Sequence, residues 1–333
     1  MKKKKACVLG GHGFIGHHIA RRLKNDGWWV RTVDIAEYAY GDLDFTDDPM
    51  IGDLRDMRFV SKALFAPGQT ALKCDESFDL VIQMAADMGG MGYLAGGNND
   101  ANVMFNSAMI NLNVAHIAVT HGVKKLFYSS SACVYPLELQ DSQDNKGLRE
   151  RDAIPAHPDL CYGWEKLHSE ILYDAFRRNH GLDVCVARFH NVFGIEGTWE
   201  GERAKAPAAI CRKVAEAKDG GSIEIWGDGT YTRSFLDVDE CVEGVLRLVE
   251  SGSHEVLNIG SDEIITINDL ARMVIGISGK NLKIVNVESV ALGVKGRNSN
   301  NDLIKEVIGW APTDPLIKGM TKLYEWVNKQ VNK

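Results

Sequence analysis

The sequence contains no Cys-x-x-Cys pair, and its seven cysteines are scattered along 333 residues. This spacing argues against a zinc site or a disulfide framework, so we expect free thiols, no bound metal and a reducing, cytoplasmic compartment. Two of the cysteines lie in apolar runs and are expected in the core as small hydrophobic side chains. These two are Cys7 and Cys185; the others are Cys74, Cys133, Cys161, Cys211 and Cys241.

The chain also lacks a continuous run of the roughly 18 apolar residues that a membrane helix needs, so we expect no membrane partner. Basic residues are not in excess, because the net charge is −7 at pH 7, and this argues against a nucleic-acid partner. Lysines occupy positions 2–5, but the apolar run at 6–9 is too short for a signal peptide. We therefore predict a solvated basic lead-in to a first strand.

Short apolar runs alternate with amphipathic stretches through the first half of the chain. This pattern predicts a Rossmann-type α/β fold, a doubly wound parallel sheet covered by helices, with a smaller C-terminal α/β lobe. We expect residues 1–190 to form the dinucleotide-binding domain, with 235–258 returning to it, and 191–333 to form the substrate lobe. The predicted strands cover 5–9, 29–34, 80–84, 125–130 and 183–188, and the predicted helices 14–26, 55–65, 101–121 and 162–180.

In the second half, a helix near 207–217 precedes a predicted hairpin of strands 223–226 and 230–235, with Gly227-Asp228-Gly229 as its turn. Further predictions are a helix over 236–250, a short strand over 256–260 and a last helix near 316–331. The segments 38–53, 86–101 and 136–160 are rich in Gly, Asp and Asn and are expected to be surface loops.

A glycine motif lies between the first predicted strand and the first predicted helix. Gly10, Gly13 and Gly16 permit a tight turn, close approach of the backbone to a pyrophosphate and close helix–strand packing. The helix start, which includes Phe14 and Ile15, supplies positive potential for phosphates. Asp34 ends the second predicted strand, where a carboxylate binds a ribose 2′-hydroxyl, and this favours NAD over NADP.

A second group of residues suits redox chemistry between an alcohol and a carbonyl. Tyr162 and Lys166 lie four residues apart on a predicted helix, so the phenol and the ammonium share one face. A phenol has an ordinary pKa of about 10 and needs such a neighbour to act near neutrality. Ser131 and Cys133 are two residues apart at the end of a predicted strand, which would place a hydroxyl and a thiol on one face.

The glycine motif and the Tyr-x-x-x-Lys pair together resemble the extended short-chain dehydrogenase/reductase family. The resemblance implies that Tyr162 takes the proton of a sugar hydroxyl as NAD is reduced, while Ser131 hydrogen-bonds the same oxygen. It implies that Lys166 lowers the pKa of the phenol and holds the nicotinamide ribose. Further cofactor contacts are implied for Asp53, Leu54, Ala85 and Ala86. The Glu that serves dehydration in related sugar-nucleotide dehydratases is absent at 132–133, which argues against that reaction.

Several blocks over nearly the whole chain resemble the GDP-mannose 3,5-epimerase family, namely 85–92, 130–136, 188–191, 204–209, 226–229, 232–235, 296–299 and 309–312. In that family a Cys and a Lys exchange protons at C3 and C5 of the sugar after transient oxidation at C4. The resemblance implies these roles for Cys133 and Lys205, GDP-mannose as substrate, GDP-L-galactose as product with GDP-L-gulose as a further candidate, and a homodimer. It also implies sugar-nucleotide contacts for Gly89, Ser131, Cys133, Asn191, Lys205, Lys213, Tyr231, Arg233 and Arg297.

Two alternatives stay open on the sequence. One is a GDP-sugar 4-epimerase, or an epimerase of a modified GDP-hexose or heptose, and the other is an NAD-sensing regulatory protein. The segments 93–102 and 137–149 diverge from the family pattern, so the hexose is less determined than the chemistry. Gln83 occupies a position where relatives often carry His or Asn, and no role is predicted for it.

Overall fold

A computed structural model describes residues 3–69, 76–94, 97–201, 203–289 and 293–333. Cys74 and Gly96 therefore lie outside the described residues. The strands are β1 (Lys5–Leu9), β2 (Trp29–Asp34), β3 (Asp48–Ile51), β4 (Leu80–Gln83), β5 (Leu126–Ser131), β6 (Val184–Phe189), β7 (Val192–Phe193), β8 (Ser222–Trp226), β9 (Thr232–Ser234), β10 (Leu236–Asp237), β11 (Leu257–Ile259), β12 (Ile264–Thr266), β13 (Lys283–Val287) and β14 (Gly296–Arg297).

The helices are α1 (Phe14–Asn25), α2 (Met57–Leu64), α3 (Met91–Leu94), α4 (Asp100–Thr120), α5 (Leu160–His180), α6 (Ala206–Glu216), α7 (Val238–Ser251), α8 (Ile267–Ser278), α9 (Asp302–Ile308) and α10 (Leu316–Val331). Short 3-10 turns occupy Ala132–Val134, Leu137–Gln140 and Glu150–Ala153. The strands and helices predicted in the first half lie within two residues of the observed ones.

The central sheet has seven parallel strands in the order β11-β6-β5-β4-β1-β2-β3. This confirms the predicted fold class. Side chains of β1 alternate between two cores, with Ala6 and Val8 in one and Cys7 and Leu9 in the other, because helices cover both faces of the sheet. The strand order reverses between β1 and β4, so a crevice opens beyond their carboxyl ends.

The C-terminal half contributes to this sheet and also builds a second lobe. β11 pairs with β6, and α7 packs against α1 in the core on one side of the sheet. Three helices, α6, α8 and α10, enclose a separate core next to the small sheets β13-β8 and β12-β9-β14. The pairing of β14 with β9 sets Arg297 beside Arg233, which matters for the site below.

The predicted hairpin of 223–226 with 230–235 is wrong. β8 pairs in parallel with β13, whereas β9 pairs with β12 and β14. The Gly227-Asp228-Gly229 turn is present, but Asn268 at the start of α8 donates to the Asp228 carbonyl at 3.0 Å. The chain after the turn is thus held by α8 and leads away from β8. The helix predicted over 236–250 begins at Val238, since β10 takes the two residues before it.

The structure differs from the sequence predictions in two further regions. One was predicted to be a surface loop, and the other was predicted to contain no apolar run of membrane length. The segment 38–53 ends in the edge strand β3, whose short alternating burial pattern gave little signal. Helix α4 is long and apolar enough to span a membrane by length and composition, although 44% of that window is buried in the protein. The length and apolar composition of α4 were not predicted from the sequence, because Asn111 and Asn113 interrupt the apolar run. Both asparagines are buried in the structure.

Candidate active site

The glycine loop between β1 and α1 leaves no room for a Cβ at Gly10, and the first turn of α1 leaves none at Gly16. Gly10 has φ +77°, and a Cβ there would lie 2.8 Å from the backbone nitrogen of Ala85. A Cβ on Gly16 would lie 2.0 Å from the Gly10 carbonyl oxygen. The N-cap residue of α1 is Gly13, so no side chain covers the helix start. This is a cradle that a phosphate can approach, at the crevice where the strand order reverses.

Asp34 lies beside this loop at the end of β2. Its Oδ2 accepts a hydrogen bond from the backbone N–H of His12 at 3.0 Å, and its Oδ1 accepts from Ile35 and Ala36 at 2.8 and 3.2 Å. The carboxylate is thereby fixed at the edge of the glycine loop. These residues fit the adenosine half of NAD, because a negative charge at this place opposes a 2′-phosphate.

The turn at Asp53 and Leu54, where cofactor contacts are predicted, is braced against α4. Arg55 pairs with the Asp53 carboxylate at 2.6 Å and donates to Asn106 Oδ1 at 2.7 Å. The hydrogen bond from the Arg55 guanidinium to the Asp53 carboxylate lowers the pKa of Asp53. Leu54 is buried, and its carbonyl accepts from Asn113 at 3.1 Å.

Gln83, whose role the sequence left open, holds the turn that follows β4. Its Oε1 accepts from the Ala85 N–H at 3.3 Å, and its Nε2 donates to the Ala85 carbonyl at 3.0 Å and to Asn111 Oδ1 at 2.9 Å. Asn111 in turn donates to Glu165 on α5 at 3.0 Å. Gln83 thus links Ala85, the residue against which Gly10 packs, to the helix that carries Tyr162.

Tyr162 and Lys166 lie on the first two turns of α5, and both are buried. Lys166 donates to the Ser129 carbonyl at 2.8 Å, with its Nζ 5.7 Å from the centroid of the Tyr162 ring. Burial lowers the pKa of Lys166, while the nearby Glu165 charge opposes that shift. Burial raises the pKa of Tyr162, the Cys133 charge raises it further, and a hydrogen bond with Ser131 lowers it.

Cys133 is not on a strand, because β5 ends at Ser131 and the thiol lies in the 3-10 turn Ala132–Val134. The shared strand face predicted for the hydroxyl and the thiol is therefore wrong. The Ser131 hydroxyl instead accepts from the Cys133 N–H at 3.2 Å and caps the turn. The turn touches α5 at Gly163, where a Cβ would lie 2.1 Å from the Cys133 carbonyl oxygen.

One cation contacts the thiol, and the charge of Cys133 acts on two others. Arg297 on β14 donates to Cys133 Sγ at 3.2 Å. Burial lowers the pKa of Lys205, the N-cap residue of α6, and the charges of Cys133 and Cys241 oppose that shift. Burial, and then the neighbouring Arg297, lower the pKa of Arg233 to about 10. The structure therefore brings Lys205, Arg233 and Arg297 to the same thiol from three separate elements.

The other predicted substrate contacts have neighbours of their own in the structure. A Cβ on Gly89 would lie 2.8 Å from Tyr93 Cβ. Asn191 has φ +40° and donates to the Ser234 carbonyl at 3.0 Å. Lys213 donates to the Glu224 carbonyl at 2.7 Å, which turns it towards β8. Tyr231 precedes β9, and its carbonyl accepts from the Ile267 N–H at 3.1 Å.

Two residues of the site were missed from the sequence. Gln140 accepts from Arg297 Nε at 2.6 Å, and Asp159 accepts from Arg297 Nη2 at 2.8 Å. Gln140 lies in the divergent segment 137–149, and no motif surrounds it. Asp159 directly precedes α5, a place where an acidic residue reads as an ordinary helix cap.

Among the described residues, His17, His18 and Glu196 form one group compact enough to hold a metal ion. Arg21 Nη1 lies 3.0 Å from Glu196 Oε2, and His17 Nε2 lies 2.9 Å from the same oxygen. A guanidinium at the carboxylate would repel a cation, so this group is a hydrogen-bonded network around the Arg21–Glu196 ion pair. The prediction that the protein uses no metal stays a prediction.

Comparison with known proteins supports one family. Residues 6–260 match the NAD dependent epimerase/dehydratase family. GDP-mannose 3,5-epimerase of Arabidopsis thaliana is 43% identical over 330 residues, which cover 99% of this chain and 83% of that protein. GDP-mannose 3,5-epimerase 1 of Oryza sativa subsp. indica is also 43% identical, over 100% of this chain and 84% of that protein.

Solved structures agree on the fold. UDP-glucose 4-epimerase of Thermotoga maritima, solved with UDP-glucose, superposes with a TM-score of 0.84 at 24% identity, over 98% of this chain and 99% of that one. UDP-glucuronic acid 4-epimerase of Bacillus cereus, solved with UDP-glucuronic acid and NAD, gives 0.80 at 23% identity, over 98% and 99%.

Proposed function

Because the chain belongs to the NAD-dependent epimerase/dehydratase family, and to the GDP-mannose 3,5-epimerases within it, we propose that it inverts C3 and C5 of GDP-mannose. The product is GDP-L-galactose, and GDP-L-gulose forms when C5 alone is inverted. The observation that carries this proposal is the thiol of Cys133 beside the Tyr162 phenol, with Lys205 in the same cleft. A simple 4-epimerase has no use for an additional acid–base pair.

The first step is oxidation at C4. The Tyr162 phenolate accepts the proton of the C4 hydroxyl, and Ser131 hydrogen-bonds the same oxygen. Lys166, held at the Ser129 carbonyl, places its positive charge beside the phenol ring. NAD⁺, when bound here, would supply the chemistry at C4 as acceptor and later donor of the C4 hydride. The residues that would hold it are the glycine loop, Asp34 and the turn at Ala85.

The second step is proton exchange. A carbonyl at C4 acidifies the C–H bonds at C3 and C5, since either carbanion is stabilised as an enolate. Inversion requires a proton acceptor on one face of the ring and a donor on the other. Cys133 and Lys205 are this pair, because they approach the cleft from different elements, the turn after β5 and the start of α6.

The decisive experiment is NMR of GDP-mannose incubated with the purified protein in D₂O. We expect deuterium at both C3 and C5. A GDP-sugar 4-epimerase incorporates none, and a regulatory protein turns over no GDP-hexose, so absence of label at both carbons refutes the proposal.

Variants separate the two steps. Cys133→Ala and Lys205→Met should still reduce bound NAD⁺ with substrate while losing deuterium incorporation, and Tyr162→Phe should lose both. Ile317→Ala, on the exposed face of α10, is the control expected to behave like the original protein. Loss of NAD⁺ reduction in Cys133→Ala would make the cysteine structural.

We also propose that the protein is a homodimer formed through α4 and α5. These neighbouring helices expose Phe105 and Leu112 on α4, and Trp164 and Ile171 on α5, with Phe105 and Ile171 63% and 60% exposed. Within each helix the two residues are seven apart, so they lie on one face. A two-fold axis through this apolar face buries it against its own copy.

Light scattering after size exclusion tests the dimer. The original protein should have twice the mass of its chain, and the double variant Phe105→Glu, Ile171→Glu should have the mass of one chain. Ile317→Glu is the control for a single added charge, because it places one glutamate on an exposed isoleucine elsewhere. A monomeric original protein at micromolar concentration would contradict the proposal.

A further inference from the structure

The Arg297 guanidinium contacts two buried side chains and the half-buried Cys133. Its Nε donates to Gln140 Oε1 at 2.6 Å, its Nη2 to Asp159 Oδ2 at 2.8 Å and its Nη1 to Cys133 Sγ at 3.2 Å. Gln140, Asp159 and Arg297 are each at most 6% exposed. A planar fork with two anchored nitrogens has little freedom to turn, so the third nitrogen is directed at the sulfur.

Gln140 is itself fixed. Its Nε2 donates to the carbonyls of Tyr135 and Pro136 at 3.1 and 3.2 Å, which leaves only Oε1 to face Arg297. The Gln140 carbonyl also accepts from the Lys295 N–H at 3.0 Å, next to β14. The segment that diverges from the family pattern is thus attached to both the thiol turn and the strand that carries Arg297.

Asp159 is positioned by an unusual backbone. The next residue, Leu160, has φ +59°, a left-handed conformation that a leucine adopts only at a cost in free energy. In this conformation the Asp159 N–H donates to the Cys133 carbonyl at 2.9 Å while its carboxylate binds Arg297. One residue therefore ties the thiol turn to the guanidinium that faces the thiol.

We propose that Gln140 and Asp159 are positioning residues that aim Arg297 at Cys133, so that a charge-assisted N–H···S hydrogen bond favours the thiolate needed for proton exchange. An ion pair with the sulfur stabilises the anion more than the neutral thiol. Other charges also act on this sulfur and would remain in the variants below. They are Tyr162 and Lys166 on α5, Lys205 before α6 and Arg233 on β9.

The inference rests on the proposed function only for the use of the thiolate, since thiol reactivity can be measured without any sugar. The test is the rate of Cys133 alkylation by iodoacetamide as a function of pH, on the whole 333-residue chain with NAD, with the modified peptide quantified by mass spectrometry. The half-buried Cys161 in the same digest is an internal reference.

Gln140→Leu removes one anchor of Arg297 without changing any charge. We expect the pH midpoint of Cys133 alkylation to rise by about one unit, the scale of one charge-assisted hydrogen bond. Gln69→Leu, another buried glutamine, is the matched control and should leave the midpoint unchanged. Gln140→Met keeps the unbranched shape and replaces Gln140→Leu if that variant does not fold.

Asp159→Ser distinguishes two effects by the direction in which the pH midpoint of Cys133 alkylation moves. Removing a negative charge near the thiol would lower the midpoint if only electrostatics mattered, whereas loss of the Arg297 anchor raises it. We expect a rise, because serine is too short to reach the guanidinium. A midpoint that stays unchanged in Gln140→Leu, or falls in Asp159→Ser, overturns the proposal. Loss of deuterium incorporation at an unchanged midpoint would assign these residues a purely structural role.

Discussion

Replacing Gly163 with alanine tests whether close packing of α5 on the thiol turn brings the redox centre to the proton-exchange centre. Gly163 follows Tyr162 directly, and its N–H donates to the Asp159 carbonyl at 3.1 Å. An added Cβ would lie 2.1 Å from the Cys133 carbonyl oxygen and 2.9 Å from the carbonyl carbon. These are backbone atoms, so no side-chain rotation can relieve the contact.

The magnitude follows from this geometry. Ordinary van der Waals contact begins at 3.4 Å, so the turn and the helix must separate by about 1.3 Å along that line. Overpacking of this kind costs about 1–3 kcal/mol, while alanine gains about 1 kcal/mol over glycine in helix propensity. The net loss in unfolding free energy is about 0–2 kcal/mol. The effect on activity should be larger than the effect on stability, since a misplacement of about 1 Å can lower the rate by about 100-fold.

Gly276 in α8 provides the matched control, because nothing lies within 4 Å of a Cβ built there. Gly276→Ala should raise the unfolding free energy by about 1 kcal/mol and leave activity unchanged. The assays are urea unfolding and deuterium incorporation into GDP-mannose in D₂O. If Gly163→Ala matches Gly276→Ala in both stability and incorporation rate, the close contact does not position the site and the reasoning fails.

Three further predictions concern the cofactor side and the core. Gly10→Ala should weaken NAD binding, measured by calorimetry, by at least about tenfold, because φ +77° and the 2.8 Å approach to Ala85 exclude a Cβ. Binding equal to that of Gly276→Ala would contradict this prediction. Gln83→Leu should lower the unfolding free energy by about 1–3 kcal/mol, since the amide of Asn111 and the backbone of Ala85 lose buried partners; an unchanged urea midpoint would refute it. Burial lowers the pKa of His190 from 6.5 to about 3, so below pH 6.5 the unfolded chain binds a proton that the native state does not, and stability falls as the pH is lowered through that window. His190→Gln should reduce the slope of unfolding free energy between about pH 6 and pH 5 by about 1.4 kcal/mol per pH unit, and an unchanged slope would exclude this histidine as its source.

The sequence predicted those elements whose place in the fold follows from the pattern of their own neighbouring residues. Apart from the edge strand β3, the strands of the central sheet are largely buried, so their apolar runs are unambiguous. Gly10 and Gly16 follow a strand at a spacing with a known physical use. Asp34 was found in the same way, from its distance along the chain. In each of these cases the signal lies within about 30 consecutive residues.

What could not be predicted depends on pairings between distant segments. The turn at Gly227 and Gly229 was visible, but the partner of β8 is β13, which lies more than 50 residues further along the chain. Gly163 has the same function as Gly10, a close backbone approach, yet it lies inside an ordinary helical pattern. Gln140 gains its role only because β14 returns beside it.

The charges of Tyr162 and Cys133 also bear on the order of the two proposed steps. Burial raises the pKa of Tyr162, and a negative charge on Cys133 raises it further, so the site resists holding a phenolate and a thiolate together. The phenolate is needed only until it takes the C4 hydroxyl proton. Once Tyr162 is protonated, the opposition to a thiolate disappears at the moment when the C4 carbonyl has acidified C3 and C5. Arg297 at 3.2 Å from the sulfur can then stabilise the thiolate without a competing anion. The coupling between the two residues therefore favours oxidation before proton exchange.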